Sequence, residues 1–327
     1  MLAEKDREQL KTGLTEENLI LSQKKRNMLK ENPLISIVTL TWNTTEVTCD
    51  FLRSLNEQNT YKNLEVIVVD NGSREDPTAV FTAIYPDIKL IRNPKNLGFT
   101  GGNNVGIKAA TGDYLFIVNN DTEFTPRLLE GLLEIFEQYP DAGIVSPKFH
   151  YFFQKGTIEY AGYNTVNIMT GRNGMVGCRE KDEGQYNEIK VTNYAHGGGM
   201  MVPRKIIDEV GGLPEEFFIY YEEFDWCEQI KRKGYKVYYQ PKSLIYHKES
   251  MTTGKASAFK TFYHTKNRIF FMRRNAPKAG LLVFTAYFIF FTIPKNTVTF
   301  LLKGQRDHLR SFWKGILWQF NRSITFN

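Results

Sequence analysis

A repeated pattern in the first half of the chain constrains the fold most. Short apolar runs rich in β-branched residues each close in a polar turn and are followed by a stretch with helical spacing. Leu34 to Leu40 is the first run, introduced by Pro33 and ending at Thr41-Trp42-Asn43. The next stretch places Val47, Phe51, Leu52 and Leu55 on one helix face, with Thr44 or Thr45 positioned to cap it. Leu64 to Val69 is a second strand, closed by Asp70-Asn71-Gly72-Ser73, and Ile88 to Ile91 a short third. Gly98 to Ala110 reads as a helix. Asp113 to Val118 is the fourth strand and runs into Asn119-Asn120-Asp121. Such alternation predicts an α/β fold: a Rossmann-like, mixed but mostly parallel sheet with helices on both faces.

Beyond it, Pro126 to Gln138 reads as a helix with proline in its first turn, and Gly143 to Ser146 as a short strand. Between 151 and 200 the helical period disappears, so loops and short antiparallel strands over the site are expected. Met200 to Val202 reads as a strand, Pro203 to Val210 as a helix, and Phe224 to Arg232 as a helix ended by Lys233-Gly234. Lys236 to Tyr239 is a strand, and Phe259 to Arg274 a long closing helix. Three regions follow: an N-terminal helical extension (1–32), a main domain (33–275) and a C-terminal part (276–327).

The 327 residues suit one large domain with appendages, with no internal repeat or low-complexity tract. Cys49, Cys178 and Cys227 are scattered, without metal-site spacing or a disulfide framework, and read as reduced thiols of a cytosolic protein. Residues 1–30 are charged and have no apolar core of signal-peptide length. Charge is uneven. Residues 273–327 carry nine Lys or Arg against the single acid Asp307, a balance of +8 in a chain whose total is +6. In that tail Leu281 to Ile293 is apolar, Pro294-Lys295-Asn296 interrupts it, and Val298 to Leu302 resumes. A run of this length is short of the roughly 20 residues that span a bilayer. It reads as a membrane-surface or re-entrant helical pair, followed by a basic aromatic helix, or as helices that pack on the domain or in a homo-oligomer. The basic residues flank apolar runs and line no aromatic groove, which argues against nucleic acid.

In order along the chain stand Ile37-Val38-Thr39-Leu40-Thr41-Trp42-Asn43, Val68-Val69-Asp70-Asn71-Gly72-Ser73, Asn93-Pro94-Lys95-Asn96-Leu97-Gly98-Phe99-Thr100-Gly101-Gly102-Asn103-Asn104-Val105-Gly106 and Asn119-Asn120-Asp121. Together they resemble the family 2 inverting glycosyltransferases of GT-A fold, in particular the bacterial rhamnosyltransferase-like branch, over residues 34–275. A carboxylate just beyond a buried strand is also where open α/β sheets bind ligands, and it suits a divalent metal with a diphosphate. Asp70 reads either as a nucleotide contact or as the cap of the turn that Gly72 permits. The glycines at 98, 101, 102 and 106 suit either phosphate at a helix start or close helix-to-sheet packing. Their spacing fits neither a dinucleotide fingerprint nor a Walker loop.

The resemblance implies a donor nucleotide-sugar site of Thr41, Asn43, Asp70, Asn93, Gly98, Phe99, Gly102, Asn103, Asn119 and Asn120. Asp121 corresponds to the last acid of the family's D-x-D motif, whose first acid is replaced by Asn119. His247, after Ser243-Leu244-Ile245-Tyr246, matches a histidine that completes the metal site, with Mn²⁺ or Mg²⁺ as cofactor. Phe217 to Cys227 resembles the aromatic run and E-D-x-D segment that supplies the base. By position the base is Glu223, with Glu222 as runner-up. His196, Gly198, Tyr221 and Asp225 are the implied acceptor contacts.

The expected activity is metal-dependent inverting transfer of a sugar, L-rhamnose from dTDP-rhamnose, to a hydroxyl of a lipid-linked or cell-surface polysaccharide. The expected location is cytoplasmic, at the inner face of the cell membrane. A galactofuranosyl or other UDP-sugar transferase is the alternative within the family, and a catalytically silent glycan-binding or scaffold protein the alternative outside it. A nucleotidyltransferase would need a Gly-rich loop with Arg and Lys after the first strand, which Thr41-Trp42-Asn43 does not supply.

Overall fold

The computed structural model describes residues 32–248 and 257–326, so the expected N-terminal helical arm lies outside the described residues. The alternation read from the sequence is present. Strand β1 (Ile35–Thr41), helix α1 (Thr45–Gln58), β2 (Leu64–Asp70), α2 (Thr78–Ile84), β3 (Lys89–Arg92), α3 (Gly98–Ala109) and β4 (Tyr114–Val118) follow one another. Next come β5 (Thr122–Glu123), α4 (Leu128–Gln138), β6 (Ala142–Tyr151), β7 (Ile158–Tyr160), β8 (Lys190–Thr192), β9 (Gly199–Pro203), α5 (Arg204–Val210), α6 (Glu222–Arg232), β10 (Lys236–His247) and α7 (Ala258–Asn275).

The strands form one mixed sheet in the order β3-β2-β1-β4-β9-β6-β10-β5, with β7 beside β6 and β8 beside β10. The pairs β2–β3, β1–β2, β1–β4 and β6–β10 are parallel, while β9 is antiparallel to both of its neighbours. Alternate strand residues feed two cores, as the period of two requires. Ile37, Val66, Val68 and Phe116 pack under α1, α2 and α4. Val38, Ile67, Val69 and Ile117 pack under α3, α5, α6 and α7. The α3 glycines serve this packing: a Cβ on Gly102 would lie 2.4 Å from Leu40 Cδ1, and one on Gly106 2.4 Å from Val38 Cγ1.

Several local readings are corrected. Helix α4 begins at Leu128 rather than Pro126, because Arg127 is left-handed (φ 60). Thr44 precedes α1 but its side chain makes no cap; the hydroxyl instead accepts from Asn120. Strand β6 runs through Pro147 to Tyr151, and β10 continues past Pro241 to His247. Pro241 falls where the β10–β6 register shifts, between Gln240 and Leu244, so the missing N–H is absorbed by an irregularity.

The tail is corrected most. Helix α8 (Lys278–Tyr287), a π-helical turn (Phe288–Thr292) and α9 (Ile293–Leu302) form one continuous 25-residue helix. Pro294 occupies the first turn after the π segment, where its lack of an N–H is tolerated, so it breaks nothing. At 1.5 Å per residue this helix is roughly 37 Å long. It is long and apolar enough to cross a membrane, and most of its apolar stretch is not buried against the body. Gly280, Phe284, Phe288 and Thr292, four apart, face the body, whereas Leu282, Phe290, Phe291, Leu301 and Leu302 are exposed. Helix α10 (Arg306–Leu317) then packs on α7, with Phe312 buried and Gly315 against Phe262 and Thr265.

Candidate active site

The site forms at the carboxyl ends of β1 and β4. After the five buried residues of β4 the chain turns through Asn119-Asn120-Asp121. That turn is held from three sides. Asn119 N donates to Gly198 O (3.0 Å), Asn120 Nδ2 donates to Thr48 Oγ1 (2.8 Å) and Thr44 Oγ1 (3.0 Å), and Lys248 N donates to Asp121 O (2.8 Å). The Asp121 carboxylate is thereby aimed at the last residue of β10: His247 Nε2 lies 3.2 Å from Asp121 Oδ1. On the opposite ring edge, His247 Nδ1 donates to Glu159 Oε2 (2.8 Å). Glu159 also lies 3.6 Å from His196 Nε2.

One imidazole thus sits between two buried carboxylates. Burial alone would lower the His247 pKa, but Asp121 and Glu159 outweigh it and hold it well above its ordinary value. Burial likewise opposes ionisation of Glu159, yet His247 and His196 bring it down to about 2. Two carboxylates gathered around one nitrogen heterocycle are a donor set in which a divalent cation replaces the imidazole proton. Asp121 and His247 fit as ligands, and Glu159 fits as the outer carboxylate that fixes the ring and its tautomer. Glu159, His196 and His247 place their donor atoms within 4.8 Å of one another.

Across the cleft, of about 340 Å³, stand Glu222 and Glu223 in the first turn of α6. The chain reaches them through strained backbone: Phe218, Tyr220 and Tyr221 all have φ between 70 and 75. A single side chain clamps that stretch. Asn267 Nδ2 donates to the carbonyls of Phe217 (3.0 Å), Ile219 (2.7 Å) and Tyr220 (2.8 Å), and Lys266 Nζ donates to Glu216 O (2.6 Å). Oε2 of Glu222 and Oε2 of Glu223 are both buried without a hydrogen-bond partner. Burial pushes the Glu223 carboxyl up to about 7. Glu222 is driven well above the carboxylate range, by burial and then by the charge of Glu223. Burial of both carboxyls, and the charge of one beside the other, thus favour holding a proton between them over two carboxylates. Gly197 forms the facing wall, where an added Cβ would lie 3.6 Å from the Glu223 carboxyl carbon.

Of the residues expected from the sequence, Thr41, Gly98, Phe99, Asn119, Asn120, Asp121, His196, Gly198, Glu222, Glu223 and His247 line this cleft. The others do not. Asp70 is fully buried behind it, its carboxylate accepting from Ser73 N (3.0 Å) and Arg92 Nε (2.9 Å), so it builds the turn. Asn43 and Asn93 are likewise structural, accepting from Arg74 N and donating to Asn71 Oδ1 respectively. Gly102 packs on Leu40, and Asn103 donates to Phe99 O (2.8 Å) inside α3. The Tyr221 hydroxyl donates to Gly171 O, away from the cleft. Asp225 is fully buried and takes a bidentate contact from Arg274 (2.9 and 3.0 Å) together with Asn275 and Gln229, so it ties α6 to α7.

Glu159 and Asn267 escaped sequence reasoning. Glu159 lies in the aperiodic segment, marked only as an acid between Ile158 and Tyr160 in a three-residue strand. Lys266-Asn267-Arg268 is a polar trio at buried positions of an otherwise aromatic helix, which was the available signal.

Residues 36–211 match the family described as glycosyl transferase family 2. The uncharacterized protein y4gI of Sinorhizobium fredii is 27% identical over 246 residues, which is 69% of this chain but 26% of that protein, so the chain spans about a quarter of its length. The N-acetylglucosaminyl-diphospho-decaprenol L-rhamnosyltransferase of Mycobacterium tuberculosis is 23% identical over 244 residues, covering 68% of this chain and 78% of the relative. Among solved structures, the mannosyltransferase PcManGT of Pyrobaculum calidifontis, in complex with GDP-Man and Mn²⁺, superposes with a TM-score of 0.55 at 14% identity, covering 93% of this chain and 94% of that one. The fold is GT-A, and with more than half of its length matched the chain belongs to glycosyltransferase family 2.

Proposed function

We propose that this protein is a metal-dependent inverting glycosyltransferase. In this reading it moves L-rhamnose from dTDP-rhamnose to a hydroxyl of a lipid-linked or cell-surface polysaccharide. The observation that carries the proposal is Glu223 Oε2, an atom buried without a hydrogen-bond partner, in a side chain that lines the same cleft as the Asp121–His247 pair. Inversion is a single displacement: as the acceptor oxygen attacks the anomeric carbon, the bond to the nucleoside diphosphate breaks and Glu223 Oε2 takes the hydroxyl proton. Burial near a pKa of about 7 suits that role at neutral pH, while Glu222 stays protonated and adds no second negative charge. Asp121 and His247 would hold Mn²⁺ or Mg²⁺, with Glu159 orienting the imidazole. When bound, the ion stabilises the charge that develops on the departing diphosphate. Gly197 lines the cleft opposite Glu223, where its lack of a side chain leaves the carboxyl uncrowded.

The activity for which the Mycobacterium relative is named supports rhamnose and a polyprenyl diphosphate acceptor. The half-packed apolar helix supports work at a membrane surface: one face is committed to the body and the other is bare, as in a helix lying in the lipid interface. Product formation from a panel of nucleotide sugars tests the assignment. Turnover of UDP-sugars without turnover of dTDP-rhamnose overturns the rhamnosyl reading, and absence of turnover with every donor overturns the enzyme.

A further inference from the structure

We infer that a second, cationic cavity next to Glu223 holds the phosphate or diphosphate linkage of a lipid-linked acceptor. The inference rests on the acceptor class proposed above and gives it a place. The cavity, of about 870 Å³, lies between the segment around Arg172, helix α7 and the C-terminal helices. Arg172, Lys260, His264, Arg268 and His308 line it, and among the described residues Glu223, shared with the donor cleft, is the only acid in its lining.

Arg268 is the telling residue. It is 5% exposed, its Nε has no hydrogen-bond partner, and its guanidinium rests over the Phe288 ring at 4.9 Å. Among the described residues no carboxylate forms an ion pair with Arg268 or with Arg172, although buried acids elsewhere in the protein are paired. Burial lowers the Arg268 pKa to about 10, which leaves it cationic at neutral pH. An uncompensated buried guanidinium is costly, and an anionic oxygen ligand removes that cost while matching its planar fork. His264, stacked on Tyr220, also lines the cavity and is available as a hydrogen-bond partner.

Position distinguishes the anion from a free nucleotide. The cavity lining includes Glu223, where an acceptor hydroxyl must arrive, and Asn296 and Phe300 of α9, beside the exposed Val298, Leu301 and Leu302. A molecule that joins a sugar hydroxyl, a diphosphate and an apolar chain meets all three environments there.

The test is calorimetric binding of farnesyl diphosphate and of farnesol to the full chain in neutral detergent, with chelator present so that no metal presents the donor cleft to a diphosphate. The diphosphate is expected to bind at least tenfold tighter. Arg268→Gln and Arg172→Ala each remove tenfold or more of its affinity without changing that of farnesol, and Arg172→Lys retains most of it. Arg172 is exposed, so its variants decide the matter if Arg268→Gln does not fold. Equal affinity for the two probes, or parallel loss of both in the variants, overturns the inference. So does a loss of sedimentation with phosphatidylglycerol vesicles while farnesyl diphosphate affinity stays intact, because the cavity then belongs to a bilayer headgroup. Charge-dependent farnesyl diphosphate binding without sugar transfer to any acceptor sinks the proposed function and leaves the site. Transfer to neutral glycosides with no diphosphate preference in binding does the reverse.

Discussion

Glu223→Gln separates catalysis from stability in a way only a buried base predicts. The substitution keeps the shape of the side chain and removes its proton chemistry, so turnover is expected to fall by two or more decades, about 3 kcal/mol of barrier. Stability moves the other way. The folded carboxyl titrates at about 7 against an ordinary value of 4.5, raised by burial. An acid whose pKa is higher in the folded state binds its proton more tightly there. It costs nothing below pH 4.5, and the cost grows as pH rises and is complete above about 7. At about 1.4 kcal/mol per pH unit, the gap between 4.5 and about 7 comes to about 3 kcal/mol. Urea unfolding at pH 5 and pH 8 reads this directly. The glutamine variant is expected to gain on the order of 3 kcal/mol over the parent at pH 8 relative to pH 5, and the parent's turnover to rise with pH through about 7. An inactive variant with no pH-dependent gain would refute burial as the source of the base's tuning. An active variant would remove Glu223 from the chemistry.

Chelation is expected to abolish transfer and Mn²⁺ to restore it, while Glu159→Gln raises the metal concentration needed by tenfold to a hundredfold, measured by metal titration of activity. Asn267→Ala leaves three carbonyls of the strained aromatic stretch without their shared donor. It should destabilise the protein by about 3 kcal/mol in thermal unfolding and lower turnover more than donor affinity. Gly102→Ala drives a methyl into Leu40 and should cost about 1–3 kcal/mol by the same measurement. Phe290→Glu with Phe291→Glu, on the bare face of the tail helix, should reduce co-sedimentation with anionic liposomes. Deleting the tail is a poorer probe, because Phe312 and Trp318 are part of the packing on α7.

The first half of the sheet and the cleft residues Thr41, Gly98, Phe99, Asn119 and Asn120 were legible in the sequence because their signals are local, whereas Asn43, Asp70, Asn93, Gly102 and Asn103 fall off the cleft. A buried strand, a polar turn and a glycine-spaced helix each occupy a few consecutive residues, and β1 to β4 follow one another in space almost as in sequence. The Asp121–His247 approach was reached only through a motif, since nothing local links residues 126 apart. Glu159 was illegible because its strand is three residues long and its partner is a ring supplied by β10. Asp70 and Asp225, two acids at motif positions, are each paired with an arginine, Arg92 and Arg274, and do not line the cleft. The tail misled for a related reason: Pro294 reads as a break in one dimension, while a π-helical turn accommodates it in three.

The order of the sheet has a consequence for the making of the protein. Strand β10 arrives last, yet it lies between β6 and β5 and delivers His247 to Asp121. A chain emerging from the ribosome can complete β1 to β4 long before it owns Glu223 or His247. The span that matches the family, residues 36–211, stops short of Glu223, His247 and Asn267 alike. Until β10 is synthesised, β6 presents an unpaired edge to its neighbours in the cell. Newly made protein is therefore most exposed to aggregation just before it becomes able to work.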